Sequence, residues 1–326
     1  MGVWHMTKSN VLVSSAAAKT PLVLAVIGGA AKLDPEMRVI AGDLNPDALT
    51  KHVAHDFWAM PPIRDEYLNA ILGGCAQRGI RIILPTRDGE LAFWAKHTRT
   101  FAKSGIHVIV SNRDAIVQCL DKALFANVGL RRGLPVIATS ASIDEINAQS
   151  FVVKERFGSG SRTIAIGLDK DAAIAHAKTL DQPIFQPFIK GREVSIDAWA
   201  DRNCTVKGVV LRRRDEVVNG ESRISTTFRD VVLEIQAKQW IQTWEICGPV
   251  VMQILLNSSG TPYIIELNPR FGGASTASIQ VGLDSLYWSL LEALGKDVSD
   301  YQFMRASTEV RQIRIPTDIY TRGSDL

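Results

Sequence analysis

The sequence predicts an α/β protein: a parallel, doubly wound sheet in the first third, then two α+β regions built on antiparallel strands. Three observations predict it. Short apolar runs alternate with amphipathic stretches through the first 118 residues, the pattern of strand–helix–strand units. From residue 184 on most runs alternate apolar with polar side chains, as antiparallel strands with one covered face do. The chain has 326 residues, 46% of them hydrophobic and 22% charged, enough for two or three domains with substantial cores.

Taken in order, NVLVSS (10–15), MRVIAGD (37–43), IRIILPT (80–86) and IHVIVS (106–111) read as short buried strands. EYLNAILGGCAQRG (66–79) and GELAFWAKHTRTFAKSG (89–105) read as the helices between them. The loop after the first strand, VSSAAAKTP, lacks GxGxxG, which disfavours a nicotinamide-dependent dehydrogenase. DKALFANVGLRRGLPVIAT (121–139) is a helix followed by a proline-marked turn. FVVKERFGSGSRTIAIG (151–167) is strand, glycine-rich loop, strand, and DKDAAIAHAKTL (169–180) is a helix with an acidic start. The last region holds IFQPFIKGREVSIDAWAD (184–201), VKGVVLRRRDEV (206–217), VVMQILLNSSGTPYIIELNPR (250–270) and EVRQIRIP (309–316), with SSGT as a hairpin turn.

Charge and cysteine usage exclude several classes. A formal charge of +3 demands neither a nucleic-acid nor a membrane partner. Cys75, Cys119, Cys204 and Cys247 form no CxxC pair, so neither zinc nor a disulfide framework is expected, and a reducing, cytoplasmic compartment is. No run approaches the roughly 18 apolar residues of a membrane span, and MGVWHMTKSN has no apolar signal-peptide core.

The chemistry concentrates in three places. In the hairpin, a turn centred on Ser258–Gly260 sets Gln253 opposite Glu266, and Glu266 and Asn268, two apart, share a face. Three oxygen donors on one patch suit magnesium, which leaves the rest of its coordination to phosphate and water. Solvent-facing polar positions of an alternating strand are the structural alternative. Arg270 beside Gly272 and Gly273 favours a ligand: a planar guanidinium suits carboxylate or phosphoryl oxygens, and glycine lets backbone approach closely.

In VVKERFGSGSR, Lys154 ends a strand, and Gly158, Ser159, Gly160 and Ser161 can wrap phosphate with backbone N–H groups, although this is no Walker A. In QPFIKGREVSID, Gln186, Pro187, Phe188 and Ile189 form an extended linker able to read an adenine edge, and Glu193 can accept from ribose hydroxyls; alternatively this is a plain strand with a turn. Asp88 and Glu90 in TRDGEL either face a cleft at a strand's carboxyl end or, for Asp88, cap the next helix. His52 and His55 have helical metal-pair spacing but no further ligand, which favours packing.

A lysine strand with a glycine loop, a hinge followed by GxE, and a Gln…ExNPR hairpin, in that order, resemble the ATP-grasp enzymes. The Gln253, Glu266, Asn268 trio is most similar to the carbamoyl-phosphate-synthase large-subunit branch, whose metal ligands are also Gln, Glu and Asn. AGDLNP, LPTRDGEL and VSNRDAIVQCLDK resemble the pre-ATP-grasp domain. The resemblance covers nearly the whole chain and is most specific at ELNPRFGG. It includes one unit where the full synthase has two in tandem, which implies a free-standing relative.

The resemblance implies a pre-ATP-grasp Rossmann-like domain over 1–118, a lid subdomain over 119–186, and a C-terminal subdomain with the metal site over 187–326. Its cofactors would be ATP and Mg2+, with Mn2+ as the alternative ion. Lys122 and Lys154 would contact ATP phosphates, with Gly158–Ser161 as the lid loop. Gln186 to Ile189 would flank adenine, Glu193 would hold ribose, and Gln253, Glu266 and Asn268 would bind the metal. Arg270 would stabilise the transferred phosphoryl group or the acyl phosphate. Arg212 and Arg214 stand where relatives place phosphate- or carboxylate-binding cations, with a solvated strand face as their alternative.

The chain departs from many relatives at Glu155, where they have proline, at Gln186, where they have an acid, and in SSAAAK, which lacks their glycine. The implied activity is ADP-forming ligation of a small-molecule carboxylate to an amine or ammonia through an acyl phosphate. The implied setting is a cytoplasmic homodimer with no nucleic-acid or membrane partner. Kinase-like phosphorylation of a small substrate and a non-catalytic nucleotide-binding regulator are the alternatives.

Overall fold

The computed structural model describes residues 9–158, 160, 163–218 and 220–320. Its first third is a parallel sheet built from β1 (Asn10–Ser14), β2 (Val39–Asp43), β3 (Asp56–Ala59), β4 (Ile80–Pro85) and β5 (His107–Val108), in the order β3-β2-β1-β4-β5. Helices α1 (Thr20–Leu33), α2 (Leu68–Gln77) and α3 (Asp88–Lys103) make the crossovers. Val11, Leu12 and Val13 are all buried, with Val11 and Val13 in one core cluster and Leu12 in the other. A strand covered on both faces needs such a continuous apolar run. Strand β3 is absent from the sequence reading because DFWA carries one apolar side chain fully inside, Trp58.

Helices α4 (Arg113–Leu120) and α5 (Lys122–Arg131) follow, capped by Asn112 and Asp121, whose carboxamide and carboxylate oxygens accept from the first-turn N–H groups. A small antiparallel sheet comes next: β6 (Phe151–Glu155), β7 (Ala165–Leu168) and β8 (Pro183–Pro187), in the order β7-β6-β8, with α6 (Lys170–Ala177) packed on it. Residues 122–136 do not belong to that small core. Phe125, Val128, Leu134 and Val136 sit in the cluster of the large sheet, where Phe125 stacks on Trp244 with ring centres 4.5 Å apart.

The large sheet is antiparallel. It comprises β9 (Gly191–Ala200), β10 (Val206–Val218), β11 (Glu221–Phe228), β12 (Gly248–Asn257), β13 (Pro262–Asn268) and β14 (Arg311–Ile313), in the order β13-β12-β9-β10-β11-β14. Helices α7 (Val231–Thr243), α8 (Thr276–Gln280) and α9 (Ser285–Ala293) complete it. The sequence reading does not contain β11: ESRISTTF has few apolar residues and gains its place by pairing with β10.

The front sheet and the third region share one core. Leu286 and Leu290 of α9 and Phe271 pack with Val11, Val23 and Ala30. Helix α1 crosses α9 at Gly29, where a Cβ would stand 2.5 Å from Leu286 Cδ2. This contact places the segment after β13 against the front sheet.

The cysteine expectation is corrected. Cys204 and Cys247 form a disulfide across a sequence separation of 43. The turn between β9 and β10 and the turn before β12 lie side by side, a juxtaposition that spacing alone does not reveal. Cys75 and Cys119 are free and buried, their thiols pushed up by desolvation, Cys75 to about 12. The cysteine argument for a reducing compartment therefore fails. Among the described residues, no helix is long and apolar enough to cross a membrane.

Candidate active site

The hairpin places its donors as the alternation requires. Gln253 is directly opposite Glu266, with a register shift immediately after the pair, and Val251 is opposite Asn268. Leu267, between the two donors, is buried in the large core. Glu266 and Asn268 therefore share the other face, where Asn268 Nδ2 donates to Glu266 Oε1 at 2.8 Å. This leaves the carboxamide oxygen of Asn268, the second Glu266 oxygen and Gln253 as hard donors at one patch. Their chemistry fits a Mg2+ that brings phosphate oxygens with it, because one carboxylate alone is a weak anchor for a bare ion. Among the described residues, no cluster of three or more His, Cys, Asp or Glu suits a metal. His55 Nδ1 accepts from the Val39 N–H at 2.9 Å, a packing role.

Lys154, on β6, is buried and lies close enough to Glu266 for their charges to interact. Desolvation pulls its pKa down to about 8, Glu266 pulls it up, and Lys122 adds a second downward push. Lys122 opens α5 and donates from Nζ to Gly158 O at 2.8 Å and Arg156 O at 3.3 Å, which fixes the base of the glycine loop. Burial lowers its pKa, while Glu266, Asp88, Asp121 and Glu155 oppose that. Arg156 forms a fork with Asp121 at 2.7 and 2.6 Å, so the strand leaving the small sheet is tied to the capping residue of α5. Gly158 and Gly160 both adopt positive φ, as the loop requires. Ser159 and Ser161 lie outside the described residues.

Arg270 sits at the end of β13 in a two-pronged ion pair with Asp88, both contacts 2.6 Å, and donates to Phe271 O at 3.1 Å. Burial opposes its charge, but Asp88, with Glu266 and Glu90 beyond, outweighs burial and holds its pKa above the ordinary arginine value. Glu90, not Asp88, does the capping. It accepts from the Thr86 and Arg87 N–H groups, and also from Ser14 Oγ and Trp94 Nε1. Both acids thus stand at the carboxyl end of β4, in different roles. The sequence pointed to them but not to Asp88's partner, 182 residues away.

Of the expected nucleotide-side residues, Gln186 and Glu193 are differently engaged. Gln186 lies inside β8, buried, with Nε2 donating to Thr139 Oγ1 at 2.7 Å, so its side chain faces the interior. The linker proper is 188–190, and its first N–H, from Phe188, donates to Ser150 O. Glu193 is half-exposed and ion-paired with Arg214, which also donates to Ser222 Oγ and Gly220 O. Pro187, at the end of β8, and Ile189, in the linker, are half-buried.

Arg212 is the clearest correction. Its guanidinium is 3% exposed and paired with Asp197, itself 4% exposed. Asp197 also accepts from Ser275 and Ser278 on the segment after Arg270. That charge is committed to bracing the glycine-rich segment against the sheet. Arg212→Met strands a buried carboxylate and should cost about 3–5 kcal/mol in chemical denaturation. A companion Asp197→Leu should restore most of it; an Arg212→Met protein as stable as the parent would contradict the bracing role.

Residues 179–316 match the family described as ATP-grasp in the biosynthetic pathway with Ter operon, and residues 11–109 match the PylC-like N-terminal domain. No protein with a curated description matches by sequence. The biotin carboxylase domain of Hydrogenobacter thermophilus 2-oxoglutarate carboxylase, solved with MgADP, ADP and bicarbonate, is similar at TM-score 0.76 and 18% identity, over 94% of this chain and 74% of that one. L-amino acid ligase from Bacillus licheniformis is similar at TM-score 0.71 and 16% identity, over 96% and 81%. N5-carboxyaminoimidazole synthetase from Staphylococcus aureus is similar at TM-score 0.66 and 17% identity, over 89% and 78%.

Proposed function

Because residues 179–316 match an ATP-grasp family and the fold is that of ATP-grasp structures, we propose that this chain is an ATP-dependent, ADP-forming ligase that joins a small-molecule carboxylate to an amine or ammonia. The observation that carries the reading is one strand end. Glu266, hydrogen-bonded to Asn268, lies close enough to Lys154 to act on its charge, and Arg270, two residues beyond Asn268, is held in place by Asp88.

ATP would lie between the small sheet and the large one, its phosphates against Lys154 and Lys122. Gln253, Glu266 and Asn268 would hold Mg2+, which supplies neutralisation of phosphate charge when bound. Arg270 would orient the γ-phosphoryl group. A carboxylate oxygen of the substrate attacks the γ-phosphorus and ADP leaves, giving an acyl phosphate. The amine nitrogen then adds to the acyl carbon, and phosphate departs with the C–O electron pair as the nitrogen loses its proton. Positioning and charge neutralisation suffice for such a transfer, which accounts for a sequence that offers no Ser–His–Asp or Cys–His set. Closure of the glycine loop over Lys122 would keep water from the acyl phosphate. A cytoplasmic homodimer is the setting that accompanies this proposal.

The test is ADP release from MgATP across pooled carboxylates and amino acids, with and without ammonia, followed by mass spectrometry of the product. Two-substrate dependence, with ADP and phosphate formed in equal amounts and an amide product, is the expected result. A phosphorylated product without an amide would make the protein a kinase, and ATP binding without any ADP would make it a regulator. Lys154→Ala should weaken ATP binding at least about tenfold, the loss of a charged hydrogen bond; unchanged affinity by calorimetry would remove Lys154 from the phosphate site.

A further inference from the structure

The strand order of the parallel front sheet reverses between β1 and β4, and the crevice outside their carboxyl ends is where such sheets bind ligands. After β1 the chain turns through Ser15, at φ 51°, to Lys19 and then enters α1. Helix α1 has no side-chain cap and no acid in its first turn, so its positive end is uncompensated from within. Two distant segments meet Lys19 there. Lys19 Nζ is 3.5 Å from one oxygen of Glu221, and Arg314 Nη1 is 3.0 Å from the other. A single carboxylate is thus shared by two cations from opposite ends of the chain.

Arg314 is seated for this. Its Nη2 donates to Gly273 O, and a Cβ on residue 273 would stand 2.6 Å from that nitrogen, so glycine is what admits the guanidinium. Its Nε is buried without a hydrogen-bond partner among the described residues. Gly273 is three residues beyond Arg270, and three residues reach at most about 10 Å. Arg314 therefore docks on the same short segment that carries Arg270.

We propose that Lys19 and Arg314 form a clamp for a second, non-reacting carboxylate of the substrate, and that Glu221 occupies this clamp until substrate displaces it. The location rests on the ligase reading; the clamp itself does not. Glu221 opens β11 at a hairpin tip and remains 52% exposed, so its ion pairs are of the weak, exchangeable kind. A planar guanidinium with an ammonium beside it selects a carboxylate by charge and shape. The substrate class is accordingly a dicarboxylate, whether an acidic α-amino acid or a plain diacid, with one carboxylate activated near Arg270 and the other held here.

Acetate is the probe. It should bind Glu221→Ala at millimolar concentration by NMR titration, and at least tenfold more weakly to the parent protein and to Glu221→Ala/Arg314→Gln. ATP affinity and melting temperature serve as folding controls, and Glu221→Gln replaces Glu221→Ala if the latter fails to fold. Equal acetate affinity across the three proteins overturns the clamp, and tighter binding of inorganic phosphate than of acetate overturns the carboxylate assignment. Competition by L-glutamate, or instead by glutarate, supports the clamp and separates the two substrate sources.

In turnover, Arg314→Gln should raise KM for the organic substrate at least tenfold with kcat within threefold, and Glu221→Gln should lower that KM. If acetate binds as expected but no substrate yields ADP, the ligase reading fails and the clamp stands. If ADP forms with substrates lacking a second anion, and acetate affinity is the same in all three proteins, the clamp fails and the ligase stands.

Discussion

Glu266→Gln should abolish ATP turnover, by about 1,000-fold or more, while the protein stays folded and Gln253 and Asn268 keep their places. Glu266 is the only carboxylate of the three proposed metal donors, on the same strand face as Asn268 and opposite Gln253. Its replacement keeps size and an oxygen donor but removes the site's one negative charge toward the cation. Neutralisation of phosphate charge by a bound metal supplies several kcal/mol, and about 4 kcal/mol corresponds to about three decades in rate. The same change has a second consequence, because Glu266 is the group that holds the buried Lys154 pKa up against desolvation. Without it, Lys154 gives up its proton more readily, and ATP binding weakens as well. Folding should be spared, because the Glu266 side chain is half-exposed and its main hydrogen bond, to Asn268 Nδ2, can be remade by the glutamine oxygen. Single-turnover ADP formation, with circular dichroism as the control, measures the effect. Parent-like ADP release would remove Glu266 from the metal site.

The strand-borne part of the site was legible in the sequence for a physical reason. Period-two alternation fixes which residues share a face, and a short turn fixes register, so the opposition of Gln253 and Glu266 followed from SSGT. The same logic found β1, β2 and β4 within one or two residues. What failed had no local signature. Arg212 reads like its neighbours in VVLRRRDEV, and only the arrival of Asp197 on the adjacent strand, with Ser275 and Ser278 above it, shows that its charge is committed to the interior. The disulfide and the Lys19–Glu221–Arg314 cluster likewise join residues tens to hundreds apart. Gln186 was misread in another way. Its strand continues through Pro187, so the side chain that looked like part of a linker is sealed against Thr139.

Arg270→Lys should lower the rate of phosphoryl transfer by about 1,000-fold, the lower end of what a transition-state arginine contributes, with ATP affinity nearly unchanged. Asp88 grips Nε and Nη2 of Arg270 at 2.6 Å each, and Nη1 is turned to Phe271 O, so the plane of the guanidinium is fixed from one edge. Lysine keeps the charge but is a point donor on a flexible stem, and it cannot accept a two-pronged grip. If orientation is what Asp88 provides, then Asp88→Asn should lower kcat by about 10–100-fold, as the loss of a supporting partner does. Asp88→Glu should recover part of it, because a carboxylate is restored on a longer arm. A purely structural ion pair predicts something else: Asp88→Asn and Arg270→Lys would both lower the melting temperature and leave kcat of the surviving folded protein intact. The pair joins the first turn of α3 to the end of β13, so it also holds the front sheet against the large one. Rapid-quench measurement of the first turnover separates these effects, since it counts only folded, ATP-loaded protein. A parent-like first turnover in Arg270→Lys would reduce the pair to a fastening between two sheets and move the phosphoryl-stabilising role to Lys154 and Lys122.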